Sequence, residues 1–183
     1  MDLSLFVGLL GSLALIVGAA WPVEKTKNPR KSVKNWLFGI GGLIMLFYAI
    51  LWYLSWWSIF FVFLEILIVI ASILMMLDTN DRLDLGILSA TWIILIVLSL
   101  YLFEWYSTII FILGLAWLGL WYAFKMNTLR RNLALMIGGI LVAVFSYISA
   151  SRIFFWINIF FGLFSLYYTI KLIRSKKKVV KKK

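Results

Sequence analysis

Glu65 falls inside a long apolar run, about two turns from one end of it. An ionisable group in the hydrocarbon of a bilayer is costly and by default marks function. Such a carboxyl must face a protein interior, keep its proton, or find a donor. It can bind a cation or relay a proton, or it can be a neutral acid bonded to a backbone carbonyl. Three further residues can join it. Asn158 lies a turn or two inside the last apolar run, where an amide hydrogen-bonds across helices or to a ligand, the first being the commoner use. Trp92 and Trp117 lie nearer the middle of their runs than an interfacial belt requires, so they can wall a cavity by stacking or simply pack. Glu65, Trp92, Trp117 and Asn158 are therefore the candidate substrate-binding set.

The rest of the chain offers little chemistry. It has no Cys and no His, which removes disulfides, thiol nucleophiles, haem-type ligation and the usual zinc sites. No carboxylate pair with metal spacing, nucleophile elbow or phosphate-cradling glycine loop is present. We expect no catalytic residue, no metal and no cofactor, and hence no enzyme. Lys171 lies at the rim of its run rather than in the middle, which argues against a retinal Schiff base. The lysine-rich C-terminus has neither a folded scaffold nor interleaved aromatics to read bases, which argues against nucleic acid as a partner.

The elements that must position Glu65 are transmembrane helices. Hydrophobic residues make up 64% of the 183 residues and charged ones 14%, a balance outside that of soluble domains. A span needs about 20 mostly apolar residues. Apolar runs between polar breaks predict an all-α polytopic membrane protein with helices at about 3–22, 36–54, 57–77, 85–103, 106–124, 133–150 and 153–172. They form a single membrane domain over 1–174, followed by a basic tail over 175–183. Only Met1-Asp2 precedes the first run and no small-residue cleavage site interrupts it, so it reads as a retained helix rather than a signal peptide.

Charge orients these spans. Lys25, Lys27, Arg30, Lys31 and Lys34 follow the first run, Lys125, Arg130 and Arg131 follow the fifth, and the tail adds Lys171, Arg174, Lys176, Lys177, Lys178, Lys181, Lys182 and Lys183. All fall on one side, which the positive-inside rule makes cytoplasmic, leaving the N-terminus outside. The turns near Ser55, Glu104 and Ser151 are nearly uncharged and fall on the other side. Trp52, Trp56, Trp57, Trp105 and Trp156 fit an outer aromatic belt, and Trp21, Trp36 and Trp121 an inner one. The expected location is a prokaryotic cell membrane. The bilayer is the obvious partner, with anionic lipid available to the basic tail at about 1 kcal/mol per residue. A homo-oligomer is left open.

Internal repetition is the strongest lead. Asn35-Trp-Leu-Phe-Gly-Ile40-Gly41-Gly42 matches Asn132-Leu-Ala-Leu-Met-Ile137-Gly138-Gly139, and the hairpin from Asp84 fits the same frame. In this frame Glu65, Gly114 and Gly162 coincide. Two architectures follow: parallel three-helix bundles, helices 1–3 and 5–7, joined by helix 4, or hairpins as the packing unit. Lipid gives helices no hydrophobic reason to associate, so small residues mark packing faces. Gly8, Gly11 and Gly18 line helix 1, Gly41, Gly42, Gly138 and Gly139 open their hairpins, and Gly139, Ala143, Ser146 and Ala150 form a stripe on helix 6.

On these residues the chain resembles the SWEET, PQ-loop and PnuC-type transporter superfamily. Trp21-Pro22 followed by Lys25-Thr26-Lys27 and Ser32 looks like the proline-led basic loop after the first helix of that family, and Asn158-Ile-Phe-Phe-Gly162 like its asparagine-glycine motif. The resemblance implies that Asn158 lines a substrate cavity. Glu24 stands where that family has a glutamine, Phe61 where a matching asparagine is expected, and no proline follows helix 5. A rival resemblance, to HdeD-type small membrane proteins of repeated hairpins, rests on the Leu10–Pro22 run and the Gly-Gly pairs. The expected function is a small-solute transporter or facilitator with a cavity between bundles. The alternative is a non-enzymatic scaffold or envelope-stress protein in which Glu65 and Asn158 only join helices.

Overall fold

A computed structural model describes residues 3–21, 29–56, 58–77, 80–123 and 128–180. Among these residues the fold is all-α: α1 (Leu3–Ala20), α2 (Val33–Trp56), α3 (Phe60–Leu77), α4 (Asp81–Tyr101), α5 (Tyr106–Ala123), α6 (Leu129–Ile148) and α7 (Arg152–Val180), with one 3-10 turn at Pro29–Lys31. Six of the helices are long and apolar enough to cross a membrane, while α5 is apolar over Tyr106–Trp121 and shorter. Glu24, Lys25, Lys27, Trp57 and Lys125 lie outside the described residues.

Several helices outrun the apolar stretches that announce them. α4 starts at Asp81 because the Asn80 side chain caps it, accepting a hydrogen bond from the Arg82 amide at 3.2 Å. Thr128 does the same for α6, accepting from the Arg131 amide at 3.3 Å. α7 runs on to Val180, so the lysine-rich segment continues a helix instead of leaving it at 172. Lysine is a good helix former, and cations are favoured near a helix C-terminus. α6 stops at Ile148, and Ala150 lies beyond it, exposed, at φ 55°. The Ser151 amide donates to Ser146 O and the Ala150 amide to Tyr147 O, the paired bonds of a Schellman stop. Ala150 thus drops out of the stripe of small residues expected on helix 6.

The helices close into a ring. α2 packs along both α1 and α3, α6 packs along both α5 and α7, and the two sets meet where α1 touches α7 and α3 touches α5. α4 lies outside, against α5 and less extensively α3, with most of its apolar surface uncovered. α5 packs more extensively on α6 than on α4, and α2 more on α1 than on α3, so these contacts group α1–α3 and α5–α7 and set α4 apart, where hairpins would pair α4 with α5.

Close approach within each set depends on glycine. A Cβ on Gly11 would meet Met45, and one on Gly41 would lie 3.0 Å from the Leu15 backbone nitrogen. In the other set a Cβ on Gly114 would meet Val142, and one on Gly138 would lie 3.0 Å from the Leu118 nitrogen and 3.1 Å from Gly114 O. Gly42 faces Ile68 and Val69 on α3, and Gly139 faces the Asn158 carbonyl and Gly162 on α7. Ala143 and Ser146 are buried on α6. These contacts run antiparallel in each set, so α1, α3, α5 and α7 all begin at one end of the ring, here called the head. Lipid-sized apolar side chains such as Leu9, Leu43, Ile94, Leu113 and Leu163 cover the outside.

Candidate functional site

An aromatic layer fills the head half of the ring. Phe61 of α3 and Phe154 of α7 lie face to face, their centroids 4.3 Å apart and their planes within 5°. Tyr48 of α2 packs on Phe154 at 5.5 Å, and Phe145 of α6 on Phe61 at 5.4 Å. Phe60 and Phe111 extend the layer, each in contact with Phe145. Offset or tilted ring pairs of this kind add about 0.5–1.5 kcal/mol beyond the area they bury. α3 and α7 are not close backbone neighbours, so these rings bridge the space between them.

One helical turn beyond the stacked pair, α3 carries Glu65 and α7 carries Asn158. Because the two helices are parallel and Phe61 meets Phe154, both residues reach the same depth on the inward stripes of their helices. Glu65 is 1% exposed and Asn158 4%. The same stripes continue through Ser72 on α3 and through Ser165 and Thr169 on α7, all buried. The ring stack sets Glu65 level with Asn158, and Val69 faces Gly42 on α2 as Gly162 faces Gly139 on α6.

The hydrogen bonds of these groups differ. In hydrocarbon a polar side chain finds its partner in its own helix, commonly the carbonyl four residues back. Ser72 donates to Ile68 O at 2.7 Å, Ser146 to Val142 O at 2.7 Å, and Asn158 Nδ2 to Phe154 O at 2.8 Å. Glu65 has no such bond for Oε2, which is buried without a partner, as is the Thr169 hydroxyl. With Nδ2 committed to Phe154, Asn158 presents its Oδ1 as an acceptor, an orientation assigned by that bond.

Trp92 is elsewhere. Its indole nitrogen donates to Leu115 O at 3.1 Å and its ring covers Gly119, so it fastens α4 to α5. It borders a hollow of about 30 Å³ with Leu85, Leu88, Ser89 and Leu120, room for little more than water. Trp117 is half-buried on α5. The structure therefore brings Glu65 and Asn158 to one level and leaves Trp92 on the α4 side of the ring. The residues missed from the sequence are Phe61 and Phe154, and the signal was available: each stands four residues before its polar partner. Trp52, expected in the outer belt, is half-buried between Tyr48 and Trp56, and its indole nitrogen has no partner.

The opposite end of the ring is cationic. Lys34 Nζ donates to Trp21 O at 3.2 Å, and the Arg131 guanidinium lies 4.8 Å from the Trp121 ring. Asn35 Nδ2 bonds both Pro29 O and Met75 O, tying the loop before α2 to the last turn of α3. In comparison with known proteins, the chain matches no family model and has no significant similarity to a curated protein or a solved structure.

Proposed function

We propose that the chain is a seven-span membrane carrier for a small solute, built from two parallel three-helix repeats that enclose the solute path and rock against each other. Six helices long and apolar enough to cross a membrane support an integral membrane protein. α5 is read as the seventh span, since its 18 residues cover about 27 Å, close to the hydrocarbon thickness. The repeat reading rests on matched contacts: Gly11 and Gly41 with Leu15 and Met45 in one set, Gly114 and Gly138 with Leu118 and Val142 in the other. On this reading the head is outside, the basic segments are cytoplasmic, and the host is a prokaryotic cell membrane. The resemblance to the SWEET superfamily joins the same proposal.

The observation that carries it is Glu65: a buried carboxyl with an unpartnered oxygen, level with Asn158, under a closed aromatic layer between the two sets. A helix-joining residue would be expected to bond what it joins. The layer then acts as the outer gate in its shut position. The test is uptake into proteoliposomes of radiolabelled sugars, nucleosides, amino acids and amines. We expect accumulation of one class, reduced at least tenfold by Glu65→Gln. If no class enters, the carrier reading falls.

A second reading, a scaffold or envelope-stress protein, is favoured by one feature. The ring interior is close-packed with fully buried Phe61, Phe111 and Phe154, and the hollow at α4–α5 is too small for a solute. Capture of one stoichiometric membrane partner, with no uptake of any solute, would select it.

A further inference from the structure

We infer that Glu65 and Asn158 form a binding site for a small organic cation bearing N–H donors, an ammonium or guanidinium, which enters in exchange for the Glu65 proton. The inference rests on the reading of the ring interior as a solute path, and narrows what travels there. It begins with the kind of polar atoms present. Glu65 Oε2 is buried and unpartnered, and Asn158 offers Oδ1 because its Nδ2 is bonded to Phe154 O. Both groups accept, so the missing species is a donor.

Charge then selects among donors. A carboxylate alone in a desolvated interior is strongly disfavoured, and pairing with a cation or holding a proton are the two ways to avoid it. Among the described residues no built-in cation is at hand. On the helices around Glu65 the described charged side chains stand away from its level: Lys34 in the first turn of α2, Arg130 and Arg131 in that of α6, Arg152 at the start of α7, and Lys171 and Arg174 far along α7 beyond Asn158. α1 and α5 contribute none, α4 contributes Arg82 and Asp84 in its first turn, and Tyr48 on α2 is the one other titratable group of the adjoining aromatic layer. The exchange balances as Glu65–COOH plus R–NH3+ giving Glu65–COO−·R–NH3+ plus a released proton. The site stays electroneutral in both states, which lets it cross between the two sides of the membrane loaded or empty.

The walls favour an organic cation over a metal ion. A hard cation asks for six or more oxygen ligands, and among the described residues no group of three His, Cys, Asp or Glu gathers anywhere. An organic cation, by contrast, asks for few acceptors and an apolar wall: Glu65 and Asn158 supply two acceptors, and Phe61 and Phe154, their faces stacked on each other, stand one turn away on the same stripes.

The test uses the purified full chain in detergent, with methylammonium, guanidinium and tetramethylammonium chlorides as probes and urea, sodium and potassium chlorides as controls. Melting is followed at each concentration, and proton release is read with an indicator dye in weak buffer. We expect methylammonium and guanidinium to stabilise saturably and to release one proton per cation bound, with tetramethylammonium, which has no donor, at least tenfold weaker. Glu65→Gln should lose both signals while melting no earlier. Phe61→Leu keeps the carboxyl and should weaken the organic cations several-fold, so the inference remains testable if Glu65→Gln fails to fold. Stabilisation by urea equal to that by guanidinium, unchanged in Glu65→Gln, would overturn the cation site while leaving a carrier of neutral solutes standing. Binding of the cations without proton release would overturn the exchange. If no probe shifts melting, the cation site is wrong, and the uptake panel alone decides whether a carrier remains.

Discussion

The set α1–α3 and the set α5–α7 are held by the same contacts and differ in what they place inside the ring. Gly11 and Gly41 let α1 meet α2 where Gly114 and Gly138 let α5 meet α6, and Phe61 faces Phe154 across the middle. Yet Tyr48 packs on Phe154 where Phe145 packs on Phe61, and α3 carries Glu65 at the level where α7 carries Asn158. Packing positions keep their size because a backbone contact allows no atom more. Interior polar positions are free to diverge, since each side chain there needs only a partner, and that partner can be its own helix or a ligand. The amide found the first and the carboxyl has not.

The comparison breaks most violently at the glycines. Leucine at Gly41 or Gly138 drives a side chain into the facing backbone, where no rotamer can yield. Neither variant should give a monodisperse peak on size exclusion. Gly86, with nothing within 4 Å of a Cβ, is the control: Gly86→Leu should keep its melting temperature within about 3 °C. If Gly138→Leu fails and Gly41→Leu folds normally, the two sets are not held alike.

Next come the facing rings. Phe61→Ala and Phe154→Ala should each lower stability by about 3–5 kcal/mol, the range for a large aromatic lost from a packed interior. The double variant should lose less than the sum, by about 0.5–1.5 kcal/mol, because the ring pair can be removed only once. Additivity within error would mean the two rings do not couple. A smaller effect of opposite sign is expected at the next turn. Glu65→Leu removes an unpartnered buried oxygen and should raise stability by about 1–3 kcal/mol, whereas Asn158→Leu gives up a satisfied bond and should cost about 1 kcal/mol. Denaturant titration of both variants in the same micelle reads the difference.

How much of this was legible follows from where the signals lie. Helix number and order could be read because each apolar run is broken by charge or by a short polar and aromatic turn, whereas hydropathy alone did not reach the caps at Asn80 and Thr128. Glu65 stood out because its surroundings are so apolar. The level it shares with Asn158 did not: lipid-facing and interior residues are both hydrophobic, so periodicity could not fix the rotation or register of α3 against α7, and the Phe61–Phe154 stack does so. The place of Trp92 was not legible for a related reason. Mid-run position cannot tell a ring that faces the interior from one that locks an outer helix by a bond to Leu115 O.

The smallest effect lies in the turn that joins α6 to α7. Ala150 holds the left-handed conformation of a Schellman stop at φ 55°, where a Cβ costs about 1–2 kcal/mol and glycine is the usual residue. The bonds from Ser151 to Ser146 O and from Ala150 to Tyr147 O hold it there, so the strain is offset by the packing of α6 on α7, the most extensive helix contact among the described residues. Ala150→Gly should relieve that strain at some cost in unfolded-chain entropy, leaving a gain of about 0.5–1 kcal/mol, or roughly 1–4 °C in melting temperature. A carrier that rocks its two sets needs each set to move as a body, so stiffening this turn should raise stability and leave uptake unchanged. Should Ala150→Gly slow uptake while raising the melting temperature, the turn itself bends in the cycle, and α6 and α7 do not belong to one rigid set.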